Sequence, residues 1–150
     1  MSREDDVAAV DRALTRIGRV ANSRRAARHR SRLSGVDLLP TAVATLATVY
    51  RLGPVRLTDV AADMDLEPSR VSKEVNRLVD GGLIEQAPDP SDRRASLLTI
   101  TDDGADAWKR YRGAVDDQLT KLLADWNDRD LRTLAAMLDR LAATVGGDDT

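Results

Sequence analysis

Polar and basic residues recur at helical spacing along one short stretch of the chain, where they could form hydrogen bonds with a nucleic acid. At about 100° per residue they share one broad helix face, and Val71, Val75 and Leu78 occupy the opposite face. Arg and Lys can donate to guanine, Asn can pair with adenine, and Ser can bond to bases or phosphates. An ordinary solvated helix is also charged on its outer face, so this pattern alone leaves both readings open. The candidate major-groove residues are Ser69, Arg70, Ser72, Lys73, Asn76 and Arg77.

A hairpin with basic residues near its tip is predicted directly after that helix. Leu83 to Ala87 and Leu97 to Ile100 have the composition of strands, and turn-forming and charged residues lie between them. Asp92 and Arg94 are two residues apart, a spacing at which the carboxylate could hold the guanidinium in one orientation. An arginine suits a narrow minor groove, although an ion pair that merely stiffens the hairpin is compatible with the same residues. Asp92, Arg93 and Arg94 are therefore candidate DNA-binding residues of a wing, with Arg93 free for phosphate.

Two short helices joined by a tight turn must position the polar face. Thr58 has the side chain of a good N-cap, and the three residues 65–67 form the turn before Pro68 opens the second helix. Gly81-Gly82 ends that helix, since glycine readily adopts the positive φ common at helix C-termini. This arrangement is a helix-turn-helix, and with the hairpin it predicts a winged helix-turn-helix lobe.

Amphipathic helices are predicted on both sides of the lobe. The first runs to about Ser31, and another begins at Pro40 and stops at Gly53-Pro54. Thr101 and Asn127 are predicted to cap two further helices, and 146–150 reads as a frayed tail. The first and last helices keep apolar stripes spaced by three and four, as a seam with a partner helix would, or as helices packed on their own domain would. These stripes are Val7, Val10, Leu14, Ile17 and Ala21, and Leu131, Leu134, Leu138, Leu141 and Val145.

Composition excludes several classes of function. The 150 residues suit one domain, and 42% apolar with 3% aromatic residues predicts a mainly α protein with a small β-hairpin wing. The lack of Cys rules out disulfides, thiolate metal sites and thiol redox sensing. No apolar run is long enough to span a bilayer and the start is acidic, so we expect a cytoplasmic protein without membrane contact. The formal charge of −2 argues against indiscriminate coating of nucleic acid.

Two motifs resemble the MarR (multiple antibiotic resistance regulator) family. The run S-D-R-R-A-S-L-L-T-I-T-D-D-G from Ser91 to Gly104 is similar to that family's wing signature, with Ile100 where a Leu is usual. The run from Ser69 to Ile84 resembles its recognition helix leading into the wing. Helix order and lengths extend the resemblance to roughly residues 5–145.

The resemblance implies an intertwined homodimer that binds a pseudo-palindromic double-stranded DNA operator. It implies dimerisation helices at about 5–36 and 102–146 and a winged lobe at about 38–101, with the wing at about 83–101, all in a single domain. By the same similarity Arg94 enters the minor groove, Asp92 orients it, and the six candidate residues of the helix face the major groove. Family members commonly repress transcription and leave DNA when a small molecule binds, so we expect a repressor with a small-molecule effector of unknown site.

Two other classes of function compete with a DNA-binding regulator. A winged-helix module that binds another protein remains open because acidic residues outnumber basic ones by eleven to seven in 101–150. An enzyme is disfavoured because no nucleophile with a His partner, phosphate-binding loop or metal cluster is recognisable, and we expect no cofactor and no metal.

The single histidine, His29, lies in the basic run Arg24 to Arg32, which reads as a solvated helix end or as an anion contact. Trp108, Tyr111 and Tyr50 read as core residues rather than as a ligand pocket.

Overall fold

The computed structural model describes residues 2–146 apart from the side chain of residue 93. Of the predicted tail at 146–150, Gly146 is the last residue of a helix and 147–150 lie outside the described residues. The chain divides into two compact units, and the first of them ends at Ala114. The helices are α1 Arg3–Ala21, α2 Arg24–Ser34, α3 Pro40–Leu52, α4 Leu57–Asp63, α5 Pro68–Asp80, α6 Asp102–Leu122 and α7 Asp128–Gly146. The strands are β1 Val55–Arg56, β2 Ile84–Asp89 and β3 Asp92–Ile100. Within 2–146, no helix combines the length and apolar composition needed to cross a bilayer.

The fold is mainly helical with one small sheet, as predicted. The three strands form an antiparallel sheet in the order β1-β3-β2, with Val55 opposite Leu98 and Ile84 opposite Ile100. The short strand β1 was not predicted from sequence, because two residues are too few for an alternating pattern to be visible. Its pairing with β3 attaches the hairpin to the segment that precedes the helix-turn-helix.

The hydrophobic core lies within the winged lobe. Leu46 of α3, Leu78 of α5 and Leu98 of β3 are each at most 1% exposed, and smaller apolar residues fill the space between them. Burial of three such leucines stabilises the lobe by roughly 1.5–3 kcal/mol per side chain. The core therefore fixes α5 against the sheet that carries the hairpin.

The first predicted helix is in fact two helices. α1 ends at Ala21, and Ser23 caps α2 by accepting a hydrogen bond from the Ala26 backbone N–H at 3.1 Å. The prediction of one helix to about Ser31 was wrong because Ser23 favours an N-cap over a helix interior. The corner is held by Arg30, which donates to the Ala21 carbonyl at 3.0 Å.

Most helix ends follow the predicted signals. Pro40 opens α3, Gly53 with φ 74° ends it, and Gly82 with φ 69° follows α5. Asn127 accepts from the Asp130 N–H at 2.9 Å at the start of α7. Thr58 is not a cap, because α4 begins one residue earlier at Leu57 with Arg56 in the N-cap position. The turn before α5 places Asp65 at φ 50°, a conformation that Asp tolerates better than most residues.

Candidate nucleic-acid interface

Helix α5 buries one face and presents the other to solvent. Val71, Val75 and Leu78 are at most 1% exposed and anchor the helix in the core. Pro68 occupies its first turn, where the missing backbone N–H costs no hydrogen bond. The predicted division of the helix into two faces is confirmed: Ser72 is half-buried, and the other candidates are exposed, namely Ser69, Arg70, Lys73, Asn76 and Arg77.

A carboxylate at the edge of this face holds one of its arginines. Glu74 is buried, and its two oxygens accept from Arg77 Nη1 at 3.1 and 3.3 Å. Glu74 pairs with Arg77 and not with Arg70, which lies four residues before it on the same helix. Arg70, Lys73 and Asn76 make no side-chain hydrogen bond or ion pair within the described part of the chain, so their donors are available to a ligand.

The wing residues lie on a strand rather than in a loop. β3 already begins at Asp92, and the turn between the strands consists of Pro90 and Ser91. The predicted strand ends at Ala87 and Leu97 were therefore too early and too late, since Pro88 pairs opposite Ser96 across the hairpin. A longer, paired hairpin holds its tip more firmly than an irregular loop of the same length would.

Asp92 organises the wing through the backbone and not through the guanidinium of Arg94. Its Oδ1 accepts from the Arg94 backbone N–H at 3.0 Å. The expected Asp92–Arg94 ion pair is absent among the described residues, because the short Asp side chain bonds most readily to the N–H two residues ahead. The Arg94 side chain is consequently exposed and unpaired there, while the Arg93 side chain lies outside the described part.

A buried carboxylate at the base of the tip, Asp89, was missed by sequence reasoning. Asp89 is 5% exposed and accepts from Arg56 Nε at 2.8 Å, from the Ser91 N–H at 2.8 Å and from Ser91 Oγ at 2.7 Å. These bonds lower the pKa of Asp89 to about 2, with the Ser91 hydroxyl contributing most, then the Ser91 N–H and Arg56. The network ties β1 to the hairpin tip. Arg56 and Asp89 are 33 residues apart in sequence, and the local sequence Pro-Asp-Pro indicates a turn, so no sequence pattern predicted that the two residues pair.

The end of α5, the wing and α6 meet at a close backbone contact. Thr101 Oγ1 donates to the Gly82 carbonyl at 2.7 Å and accepts from the Gly104 N–H at 3.0 Å, which confirms Thr101 as the cap of α6. A Cβ at Gly104 would lie 2.0 Å from the Leu83 carbonyl oxygen, far inside contact distance. Gly104 is therefore the residue that lets α6 start directly against the backbone of Leu83, between α5 and β2.

An aromatic cluster lies on α3 and α6. The ring centroids of Tyr50 and Trp108 are 6.3 Å apart, and Trp108 stacks on Tyr111 at 6.1 Å. Trp108 packs against the core as predicted, but Tyr50 is 43% exposed and is not a core residue. An open cleft of about 420 Å³ lies beside the cluster, lined by Ala47, Thr48, Tyr50, Arg51 and Trp108. No group of three or more His, Cys, Asp or Glu side chains within 2–146 could hold a metal ion.

Comparison with known proteins agrees with this geometry. The family model described as "MarR family" matches residues 36–95. A protein of Thauera aromatica that is assigned to regulation of the hcr operon is 32% identical over 126 residues, covering 84% of this chain and 75% of the relative. The repressor MdtR of Bacillus subtilis is 31% identical over 65 residues, covering 43% of this chain and 42% of the relative.

Solved structures give the same fold over most of the chain. A MarR family protein of Bacillus stearothermophilus superposes with a TM-score of 0.83 at 18% identity, covering 97% of this chain and 99% of that one. The MarR protein of E. coli, in its wild-type apo form, superposes with a TM-score of 0.72 at 19% identity, covering 87% and 95%. With the recognition helix, the wing and the sequence match in agreement, the chain belongs to the MarR family of DNA-binding transcriptional regulators.

Proposed function

We propose that the chain is a homodimeric repressor that binds a pseudo-palindromic double-stranded DNA site and is released by a small molecule. The observation that carries the DNA-reading part is a set of exposed donors without a side-chain partner among the described residues: Arg70, Lys73 and Asn76 on α5, and Arg94 on β3. Arg and Lys suit guanine, and Asn suits adenine, in a major groove that admits an α-helix. Ser69 and Ser72 complete the helix face toward bases or phosphates.

The wing supplies the second contact in this proposal. Arg94 enters the minor groove beside the site that α5 reads, where the negative potential attracts a guanidinium. Asp92 shapes the backbone of the strand at that point, and Asp89 with Arg56 holds the tip in place. Arg77 is held by Glu74, so we expect it to contact phosphates from a fixed position rather than to adapt to a base.

Dimerisation is supported by the apolar stripe of α1. None of its residues is buried, and side chains at spacings of three and four are 42–63% exposed. An exposed apolar stripe of this length favours a helix–helix interface. A two-fold dimer would place its two winged lobes on half-sites about one helical turn of DNA apart. These exposed residues are Val7, Val10, Leu14 and Ile17 of the predicted stripe, followed by Val20.

Repression and release by a ligand are proposed by analogy with other family members. The relative MdtR is a repressor by name, which supports the sign of regulation proposed for this chain. The cleft beside Tyr50 and Trp108 has aromatic walls and the Arg51 cation at its rim, which suits an aromatic anion. Asp63 already pairs with Arg51, so a ligand would have to compete for that guanidinium. The homologues are regulators, and we propose no catalytic activity.

The test is a fluorescence anisotropy titration of a duplex that the chain selects from a random-sequence pool. Wild-type affinity should fall steeply as salt rises, because phosphate contacts release counterions. Arg94→Ala should cost about 1–3 kcal/mol on selected and unselected duplexes alike, whereas Arg70→Ala should chiefly relax the preference at one base pair. Arg129→Ala on α7 serves as the charge-matched control, and benzoate added to the complex should release the duplex.

Salt-insensitive or undetectable binding would instead favour a protein-interaction module with the same fold. Unchanged affinity of Arg94→Ala under controlled salt would remove the wing from the mechanism while leaving α5 in place.

A further inference from the structure

Helix α2 carries a dense basic face that has no role in the DNA contacts proposed for α5 and the wing. Its 11 residues contain five arginines and one histidine, and no Asp or Glu. At about 100° per residue, four of the arginines fall within an arc of about 100°. These four, all exposed, are Arg24, Arg25, Arg28 and Arg32.

No carboxylate within residues 2–146 forms an ion pair with this arginine face. The ion pairs among the described residues involve Arg51, Arg56, Arg77 and Lys109, and none involves an arginine of α2. Arg32 Nη2 instead lies 3.2 Å from His29 Nδ1. The fifth arginine, Arg30, points elsewhere and binds the α1 carbonyl described above.

The charges of the arginine face destabilise α2. Arg24 and Arg28, like Arg28 and Arg32, are four residues apart, a spacing at which like charges repel. Arg24 and Arg25 also lie in the first turn, at the positive end of the helix dipole, where acidic residues are stabilising. A local arrangement that works against the fold is expected mainly where function requires it.

The helix is nevertheless firmly anchored at both ends. Ser23 caps its first turn, and Ser34 at its last turn is 6% exposed and donates to the Arg30 carbonyl at 2.7 Å. Ser34 Oγ also accepts from the N–H of the buried Val36 at 3.2 Å. The arginines therefore project from a fixed scaffold rather than from a frayed segment.

We propose that the arginine face of α2 binds DNA phosphates outside the base pairs read by α5, an inference that rests on the proposed function. Arg24, Arg28 and Arg32 rise by about 6 Å at each step, so they span roughly 12 Å of helix axis. One DNA strand presents a phosphate about every 3.4 Å along its axis, so each arginine can meet a separate phosphate.

The composition of the face selects the DNA backbone over other polyanions. It contains no Asn or Gln that would read a base edge, which indicates phosphate rather than base contact. It also lacks the broad apolar flank of a membrane-surface helix, since Leu33 is the single large apolar residue of α2. Arginine binds phosphate with two parallel hydrogen bonds, so a row of four gives both charge and geometry.

The test compares two triple variants of the full chain with equal charge change. Arg24→Gln/Arg28→Gln/Arg32→Gln removes the arginine face, and Arg129→Gln/Arg132→Gln/Arg140→Gln on α7 is the control. Each is titrated by anisotropy against the selected duplex at several KCl concentrations, after circular dichroism has confirmed equal helix content. Each lost phosphate contact should reduce the slope of log affinity against log salt by about 0.9.

The proposed dimer contributes three of these arginines from each protomer, so we expect the α2 variant to lose about 5 from that slope and the α7 variant less than about 1. Trimming the flanks of the duplex should weaken wild-type binding and leave the α2 variant almost unchanged. If wild type binds the duplex and the α2 variant has the same slope, the arginine face does not contact phosphates. This result would leave the proposed function unaffected. A wild-type chain that binds no duplex overturns both. Unchanged duplex binding with lost binding to poly-glutamate would assign the face to an acidic protein instead.

Discussion

The winged lobe and the N-terminal helix use their apolar residues in opposite ways. Leu46, Leu78 and Leu98 of the lobe are at most 1% exposed and contact one another through a common core. In α1, Val10 and Ile17 are 52% and 63% exposed, although they repeat at a regular helical spacing. The lobe therefore buries its apolar residues within the chain, whereas α1 leaves them exposed, as the proposed dimer requires.

The same contrast holds for hydrogen bonds and charges. The lobe places a buried carboxylate, Asp89, at the centre of a network that joins β1 to the hairpin tip. α1 has an exposed capping box, in which Ser2 and Asp5 bond to each other's backbone N–H groups. Isolated helices gain little stability from such local bonds, and most helix stability comes from packing of an amphipathic face. We therefore expect the lobe to be the DNA-reading unit and α1 to be the connecting unit of the proposed dimer.

The largest effect should follow from breaking the apolar stripe of α1. We expect Leu14→Asp/Ile17→Asp to dissociate the proposed dimer, because each charge would be buried without a partner in a helix–helix interface. A monomer contacts one half-site, so affinity for the selected duplex should fall by about 10²–10⁴-fold. Analytical ultracentrifugation and anisotropy measure the two effects.

Ala8→Asp/Thr15→Asp is the matched control, since both positions lie about 100° away from the stripe on the same helix. It should remain a dimer with wild-type affinity. A Leu14→Asp/Ile17→Asp protein that still sediments as a dimer would show that α1 is not the connecting unit.

The two regions also differ in how far they could be predicted from sequence. The faces of α5 and the caps Thr101 and Asn127 followed from local spacing, because side-chain direction in a helix is fixed within a few residues. Arg56 and Asp89 could not be paired in advance, since their contact depends on the sheet register. The role of Asp92 was misjudged for a different reason: sequence spacing shows which groups are near and not which of two donors, backbone or guanidinium, is bonded.

The next effect tests whether the lobe is as closely packed as its burial indicates. Gly104→Ala should destabilise the protein by about 1–3 kcal/mol, because its Cβ would lie 2.0 Å from the backbone oxygen of Leu83 and neither backbone can yield without moving the wing. Gly113→Ala in the same helix meets nothing within 4 Å and should stabilise by about 0.5–1 kcal/mol. Urea unfolding followed by circular dichroism gives both values, and equal effects of the two substitutions would refute the close contact at the wing.

The smallest effect is a difference in pH dependence between the two regions. The pKa of Asp89 is lowered to about 2, below the value of about 3.9 expected in the unfolded chain. A lowered pKa stabilises the fold above the unfolded value, and this contribution is lost as pH falls through the folded value. The stability advantage of wild type over Asp89→Asn should therefore be constant above about pH 5 and shrink between about pH 4 and 2.

Asp5 provides the comparison from α1. Its pKa is also lowered, by the hydrogen bond from the Ser2 N–H and then by that from the Ser2 hydroxyl, but it lies on an exposed helix end. Solvent screens this carboxylate, so Asp5→Asn should change the pH profile less than Asp89→Asn does. Unfolding free energies measured from pH 2 to 7 on both variants decide the point. We expect the larger pH dependence for Asp89, because a charge matters most where water cannot replace its hydrogen-bond partners. A larger pH dependence for Asp5 would mean that the stability of α1 depends more on an ionised carboxylate than the stability of the lobe does.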